Sequence, residues 1–474
     1  MRHAVEAAGP VLIAALLLVI GNGLLGTLTS LRLAEASGSA WMAGVVASAF
    51  FGGQMIGGIY GVRTLRAVGH IRAYAAFAAF AAIAAMLLPL LGAGWSWVAL
   101  RFVFGVAIVG MFLAMESWLN ATVRDEARGA VFSMYMVAVY GGLAVGQGPI
   151  AWLGPQFAVG IQMAAICVIL SSVPITLTAR AQPALDTMQT VSIFRIFRLS
   201  PTGGICAITA GALIGGGLGL GPVYAQAIGL DEAAVAAFMA TFLIAGLVVS
   251  WPLGWLSDRI DRRLVIVAIL FALAAAGAVG ALTATGSQIV VFGLAAIFGI
   301  CALPTYSLAV AHANDVMAGI SPVATASGML VGFGAGAMAS PALIALAMDM
   351  VGAGAFPAAL GLMALATGTF VVFRIKANEQ PPADEKTPHH PLPRTTSMAY
   401  ALDPWTAPEP AAEAPAAGDG GDGELAGDPA SDPASEPAPD PPPGWRDAWI
   451  APEPEPDPTT DAPETPKSED NPRP

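Results

Sequence analysis

The sequence predicts an all-α membrane protein: twelve transmembrane helices in two six-helix repeats, followed by a disordered C-terminal tail. Three observations carry this. Hydrophobic residues make up 56% of the 474 and charged residues only 11%. Mean hydropathy is +0.68, far too apolar for a soluble chain of this length. Runs of about twenty apolar residues, enough to cross a bilayer as a helix, recur twelve times along the chain. Finally, two charged hinges, "VRTLRAVGHI" at 62–71 and "GWLSDRIDRR" at 254–263, lie 192 residues apart, each between two such runs.

In chain order the spans fall near 10–30, 41–61, 73–91, 97–118, 130–152, 157–178, 203–226, 233–253, 264–284, 288–310, 323–348 and 354–375. The first is too long for the apolar region of a signal peptide, and no convincing cleavage site follows it. The 192-residue offset also relates Gly69 to Asp261 and Pro149 to Pro341, while "RFVFG" at 101–105 matches "AAIFG" at 295–299 at an offset of 194. Six spans and one repeat length per half fit parallel repeats about an axis along the membrane normal. The expected domains are an N-terminal half at 1–178, a cytoplasmic linker at 179–202, a C-terminal half at 203–376 and the tail at 377–474. In the linker, "SIFRIFRLS" at 192–200 alternates aromatic, aliphatic and basic residues, consistent with a short helix on an anionic leaflet.

The net charge of −12 divides unevenly. Residues 1–376 hold 16 Lys/Arg against 12 Asp/Glu, whereas residues 377–474 hold 5 against 21 and 24 of the 37 prolines. A segment so acidic, rich in proline and without apolar periodicity is expected to be extended and disordered. It carries D-x-W-x-A-P-E-P twice, around Trp405 and Trp449, and these motifs are candidates for binding a cytoplasmic partner. With the N-terminus inside, fourteen Lys/Arg fall on inside segments and only Arg32 on an outside loop. This positive-inside bias puts both termini in the cytoplasm. Trp41, Trp95, Trp97, Trp118, Trp152, Trp251 and Trp255 lie near predicted span ends, where an aromatic belt would sit.

The second hinge resembles the cytoplasmic signature of the major facilitator superfamily, G-x-x-x-D-R-x-G-R-[KR]. Gly254, Asp258, Arg259, Arg262 and Arg263 match it, and Asp261 stands in place of the usual glycine. In the first hinge Gly69 and Arg72 survive, and Arg66 occupies the aspartate position. "RFVFGVAIVG" in the fourth span is similar to the family's R-x-x-Q-G pattern at Arg101 and Gly105, with Phe104 in place of glutamine. "GGLAVGQGP" in the fifth is similar to the G-x-x-x-G-P signature of the antiporter branches, although "IAWLG" then breaks it. "LRLAEASGSAWMAGVVASAFFGG" and "ESWLN" at 116–120 look like a YcaD-like bacterial branch. The resemblance covers residues 1–376. It implies a secondary active transporter of the inner membrane, moving a small-molecule substrate by alternating access with a proton gradient as the expected drive. A non-transporting membrane sensor or scaffold that recruits partners through its tail is the alternative. No nucleotide-binding loop is present, so ATP is not expected to drive it; a transporter of this kind is expected to be no enzyme and to need no cofactor or nucleic acid. Cys167, Cys206 and Cys301 lie in apolar runs without metal spacing and read as small hydrophobes.

Polar groups inside spans are the candidates for transport chemistry. Arg101 stands near the outer end of the fourth span, where snorkelling to the interface is the competing reading. Glu116 stands near the inner end of that span, where it could pair with Arg124 or Arg128. Arg101 and Glu116 are the candidates for coupling. Asn22, Gln54, Gln147, Gln162 and Gln226 need hydrogen-bond partners, supplied by neighbouring helices or by a solute. Asp349 is expected to be solvated. The second hinge is the candidate conformational latch: Asp258 would face the N-terminus of the fifth span, where positive charge accumulates. In the seventh span six glycines fall between Gly211 and Gly221. Gly215 and Gly219, followed by Pro222, are the candidate gating residues, since small residues allow close helix approach in lipid and proline allows a bend.

Overall fold

The computed structural model describes residues 2–123, 125–153, 156–178, 192–283, 287–317 and 322–377. The tail, with Trp405 and Trp449, and most of the linker lie outside them. The described residues form fourteen helices: α1 (Arg2–Ser37), α2 (Ala40–Val68), α3 (His70–Leu87), α4 (Trp95–Thr122), α5 (Asp125–Val145), α6 (Ile150–Leu153), α7 (Phe157–Thr176), α8 (Ile193–Leu199), α9 (Pro201–Ala227), α10 (Glu232–Arg259), α11 (Arg262–Leu282), α12 (Gln288–Val316), α13 (Pro322–Val351) and α14 (Ala355–Ala377). Among the described residues twelve spans are long and apolar enough to cross a membrane, the fifth running from Ala130 to Leu153 across α5 and α6, and no strand occurs among the described residues.

Helix boundaries follow local chemistry. Ser39, Asp231, Asp261 and Ser287 cap α2, α10, α11 and α12, each side chain accepting a first-turn N–H that the helix itself cannot pair. Between α2 and α3 the break is made by Gly69 instead, at φ +84° with its N–H on Leu65 O at 2.8 Å. The expected fifth span is interrupted. It passes after Val145 into a turn at residues 146–149 and resumes as α6, where Pro149 has no N–H to offer and Gly146 lies close against the backbone of Ile20.

The sequence repeat reappears as packing. Among the first six spans α2 packs on α4, α1 on α5 and α7, and α3 on α4 and α7; among the second six the same relations join α10 to α12, α9 to α13 and α14, and α11 to α12 and α14. The matched "RFVFG" and "AAIFG" explain one of these pairs. A Cβ on Gly105 would overlap the carbonyl oxygen of Phe50, and one on Gly299 that of Phe242, so each glycine allows its helix to lie directly on a neighbour's backbone.

Two tryptophans depart from the expected belt. Trp97 and Trp118 are only 3% exposed. Trp97 stacks on Phe157 at 5.3 Å and donates to Leu91 O, while Trp118 packs edge-on against His70. Proximity to a span end does not fix which way a ring points, and these two point into the bundle. The other five, Trp41, Trp95, Trp152, Trp251 and Trp255, are exposed. The linker stretch 192–200 does carry a short helix, α8, with Ile196 buried and Phe194 exposed.

The two sets of six meet mainly through α2 on α13, α5 on α10 and α1 on α9. One end of the bundle carries Arg63, Arg66, Arg72, Arg259, Arg262, Arg263 and Arg374 and is called the arginine-rich end below. The opposite end holds the α1–α2, α9–α10 and α13–α14 connections.

Candidate functional site

Between the two sets of helices lies a cavity of two overlapping chambers, with about 550 Å³ and about 700 Å³ of empty space, part of it open. They share Asn22, Phe50, Phe51, Leu143, Leu218 and Leu243. The chamber nearer the arginine-poor end is polar on one side, with Arg101, Asn22, Thr27, Ser30 and Gln147 on its wall. The other, toward the arginine-rich end, is lined chiefly by Phe112, Ile214, Phe242, Leu303 and Phe333, with Gln54 and Tyr140 as its further polar groups.

Arg101 does not snorkel. It sits six residues into α4, about 9 Å along the helix, and is 4% exposed. Its guanidinium carbon lies over the rings of Phe50 at 4.4 Å and Phe104 at 5.2 Å. Ring faces attract the cation but accept no conventional hydrogen bond, and Nε and Nη1 have no partner among the described residues. The phenylalanine that replaces the family's glutamine is thus half of an aromatic clamp on the arginine. Gln147 stands in the break between α5 and α6, accepts from Thr27 Oγ1 at 2.8 Å and donates to Leu143 O at 3.1 Å. Asn22 Oδ1 is buried without a partner among the described residues.

The remaining expected site residues are dispersed. Glu116 is fully buried and accepts from the Tyr135 hydroxyl at 2.8 Å, but it lines neither chamber. It lies about 22 Å along α4 from Arg101. Arg124 and the Arg128 side chain lie outside the described residues. Gln162 is exposed on the bundle exterior. Gln226 faces the arginine-poor end and donates to Glu35 at 3.0 Å, away from the chambers. The α9 glycines are packed: a Cβ on Gly215 would overlap Ala337 O, and one on Gly219 would come 2.8 Å from Ala47 Cβ. Helix α9 runs unbroken through Pro222.

At the second hinge, Gly254 is buried. Arg262 is fully buried and pairs with Asp315 of α12 at 2.7 Å and with Asp258 at 3.3 Å. Arg263 pairs with Asp261 at 3.1 Å, and Arg259 lies over the Trp255 ring at 3.7 Å. These described pairs all lie within the second set of helices. The expected contact of Asp258 with the start of the fifth span involves side chains of 124–129, which lie outside the described residues.

Sequence reasoning missed the contacts that close the opposite end. Asp349, expected to be merely solvated, lies at the N-terminus of α2: Oδ1 accepts from Ala40 N at 2.7 Å, Oδ2 from Trp41 N at 3.1 Å, and Ser39 Oγ also bonds it. A carboxylate there takes unpaired first-turn N–H groups and meets the positive end of the helix dipole. Ser30 Oγ donates to Gly219 O at 2.9 Å, Ala342 N donates to Ser48 Oγ at 3.1 Å, and Gln226 reaches Glu35. Each joins the first six spans to the second, and all stand at or toward the arginine-poor end. The partners lie 189 to 310 residues apart, so no local pattern could reveal them.

Twelve spans, repeated packing and a cavity between two six-helix sets accord with the family resemblance, and the Major Facilitator Superfamily profile matches residues 11–373. The chain belongs to the major facilitator superfamily. It is a multi-pass membrane protein and a transporter rather than an enzyme. The YcaD-like resemblance is also borne out. The chain is 26% identical to the "uncharacterized MFS-type transporter YcaD" of Escherichia fergusonii over 336 residues, 70% of this chain and 87% of that protein. It is 25% identical to the protein of the same description from Salmonella heidelberg over the same shares. The crystal structure of a point mutant of the nucleoside transporter NupG superposes with a TM-score of 0.63 at 14% identity, covering 78% of this chain and 99% of that one; this likeness shows the fold.

Proposed function

We propose that this superfamily member is a secondary transporter that moves a small solute across a bacterial-type inner membrane by alternating access. Residues 1–178 and 203–376 would rock against each other about the cavity, joined by the linker at 179–202. The observation that carries this reading is a cavity walled by both sets of helices and sealed toward one end by hydrogen bonds between them. By the positive-inside rule the sealed end faces outward and both termini are cytoplasmic. Transport then requires the Asp349, Ser30, Ser48 and Gln226 contacts to part in each cycle. A proton gradient is the expected drive, with Glu116, held by Tyr135, as the coupling carboxylate.

The test locks that end. Ser39→Cys and Asp349→Cys, in a background with the native cysteines replaced by alanine, would be joined by a short bismaleimide in proteoliposomes. Crosslinking should abolish solute counterflow that the uncrosslinked double variant sustains. Counterflow unaffected by complete crosslinking would sink alternating access. Glu116→Gln should abolish gradient-driven accumulation and leave counterflow intact; loss of both in a folded protein would make Glu116 a structural residue.

A further inference from the structure

We propose that the cavity binds an amphipathic organic monoanion. A carboxylate or sulfonate would be held by Arg101, and an apolar body would lie against Phe112, Phe242 and Phe333 in the adjoining chamber. This deepens the transporter reading and rests on it for the claim that the bound anion is cargo.

The argument starts from charge. A buried guanidinium without hydrogen-bond acceptors is costly, because water's acceptors are lost and nothing replaces them. Arg101 is in that position: 4% exposed, with Nε and Nη1 unpaired among the described residues. Its aromatic clamp orients the cation but leaves these N–H groups unsatisfied. Both chambers lack an Asp or Glu among their described lining residues, and Glu116 on the same helix is engaged far below by Tyr135. The missing anionic partner is therefore one the solute would bring. Arginine suits a planar oxyanion, offering several donors in a fixed fork.

Valence follows from the count of cations. Arg101 is the one cationic side chain among the described lining residues of the two chambers. A single negative charge neutralises it, whereas a dianion would leave a net charge in a low-dielectric site. The solute's remaining character follows from the second chamber, whose wall is mainly phenylalanine, leucine and isoleucine. The anionic head lies toward the sealed end and the apolar body toward the arginine-rich end.

The experiment uses the full chain in detergent at fixed ionic strength, with thermal unfolding as the readout. The probes are octanoate, benzoate, 3-phenylpropionate and benzenesulfonate, set against octanamide, benzamide, 3-phenylpropionamide, benzylamine and succinate. At least one monoanion should raise Tm at concentrations where its amide, benzylamine and succinate do nothing. Arg101→Gln should weaken that binding at least ten-fold. Asn22→Asp, which keeps Arg101 but adds a resident carboxylate to the same cavity, should weaken it at least ten-fold as well, and keeps the test valid if the arginine variant misfolds. The proposal is overturned if no monoanion stabilises the protein, if an amide or amine does so equally, or if the folded variants bind unchanged. Counterflow separates the two readings. Anion binding without counterflow removes transport and leaves the site, while counterflow of a neutral or cationic solute without anion binding removes the anion and leaves transport.

Discussion

The two charged hinges occupy equivalent places in the repeat, yet they are built from different chemistry. Position 70 corresponds to 262 and position 66 to 258. In the second hinge Arg262 is buried against Asp315 at the end of α12 and against Asp258 one turn away. In the first, His70 is just as buried, and its Nε2 lies 2.8 Å from Ser117 Oγ near the end of α4. An imidazole–hydroxyl hydrogen bond stands where the other half has an ion pair. This gives a physical account of the aspartate missing from the first hinge. Asp258 has a guanidinium four residues on; at position 66 the residue four on is His70, and the chain carries Arg66 instead. The turn itself differs too. Gly69 makes it with a positive φ of 84°, while Asp261, at φ −58°, makes it by capping α11 with its side chain. A repeat conserves the place where a helix must stop and be anchored to its neighbour, and leaves open which chemistry does the anchoring.

The sharpest way to test this contrast is to delete one partner from each buried pair. Asp315→Ala removes the buried carboxylate nearest a fully buried guanidinium, leaving it the part-exposed Asp258 at 3.3 Å, and should cost up to about 3–5 kcal/mol, seen as a large fall in Tm in detergent. Ser117→Ala removes a hydrogen bond and should cost about 1 kcal/mol. Equal losses would mean that the two hinges are energetically alike despite their chemistry.

Exchanging the turn residues gives a smaller, asymmetric effect. Gly69→Asp forces a side chain into backbone geometry that is close to glycine-only and should cost about 1–3 kcal/mol. Asp261→Gly keeps an ordinary φ; it loses a cap, for which glycine is a tolerable substitute at a few tenths of a kcal/mol, and the ion pair with Arg263, together about 1 kcal/mol. A Tm series on both variants would expose any error, because symmetric losses would contradict the two turn geometries.

The smallest stability effect belongs to Asp258→Asn. Arg262 keeps Asp315, and the Asp258 side chain is 30% exposed, so the loss should stay under about 1 kcal/mol. The variant also tests the proposed latch. If Asp258 helps close the arginine-rich end, cysteine labelling of positions such as Val139 should rise; unchanged labelling in the folded protein would remove the latch role from Asp258.

Much of this molecule was legible in one dimension. Apolar run length and charge placement revealed twelve spans and a repeat near 192 residues, and the hinge motif's resemblance pointed to the superfamily, because hydropathy, charge and turn chemistry are properties of short segments. The match of "RFVFG" with "AAIFG" was legible as a repeat, but that Gly105 and Gly299 make equivalent close approaches to Phe50 and Phe242 emerged only from the packing. What the tertiary structure alone decided is direction and distance. Arg101 and Gln162 are both polar residues inside apolar spans, but one faces a cavity and the other the bundle exterior, because the rotation of a helix about its own axis is set by its neighbours. Trp97 and Trp118 turned inward for the same reason. Asp349 finds the start of α2 across 309 residues, and Ser30 finds Gly219 across 189. Such contacts depend on how two sets of helices meet, a relation that no stretch of sequence contains.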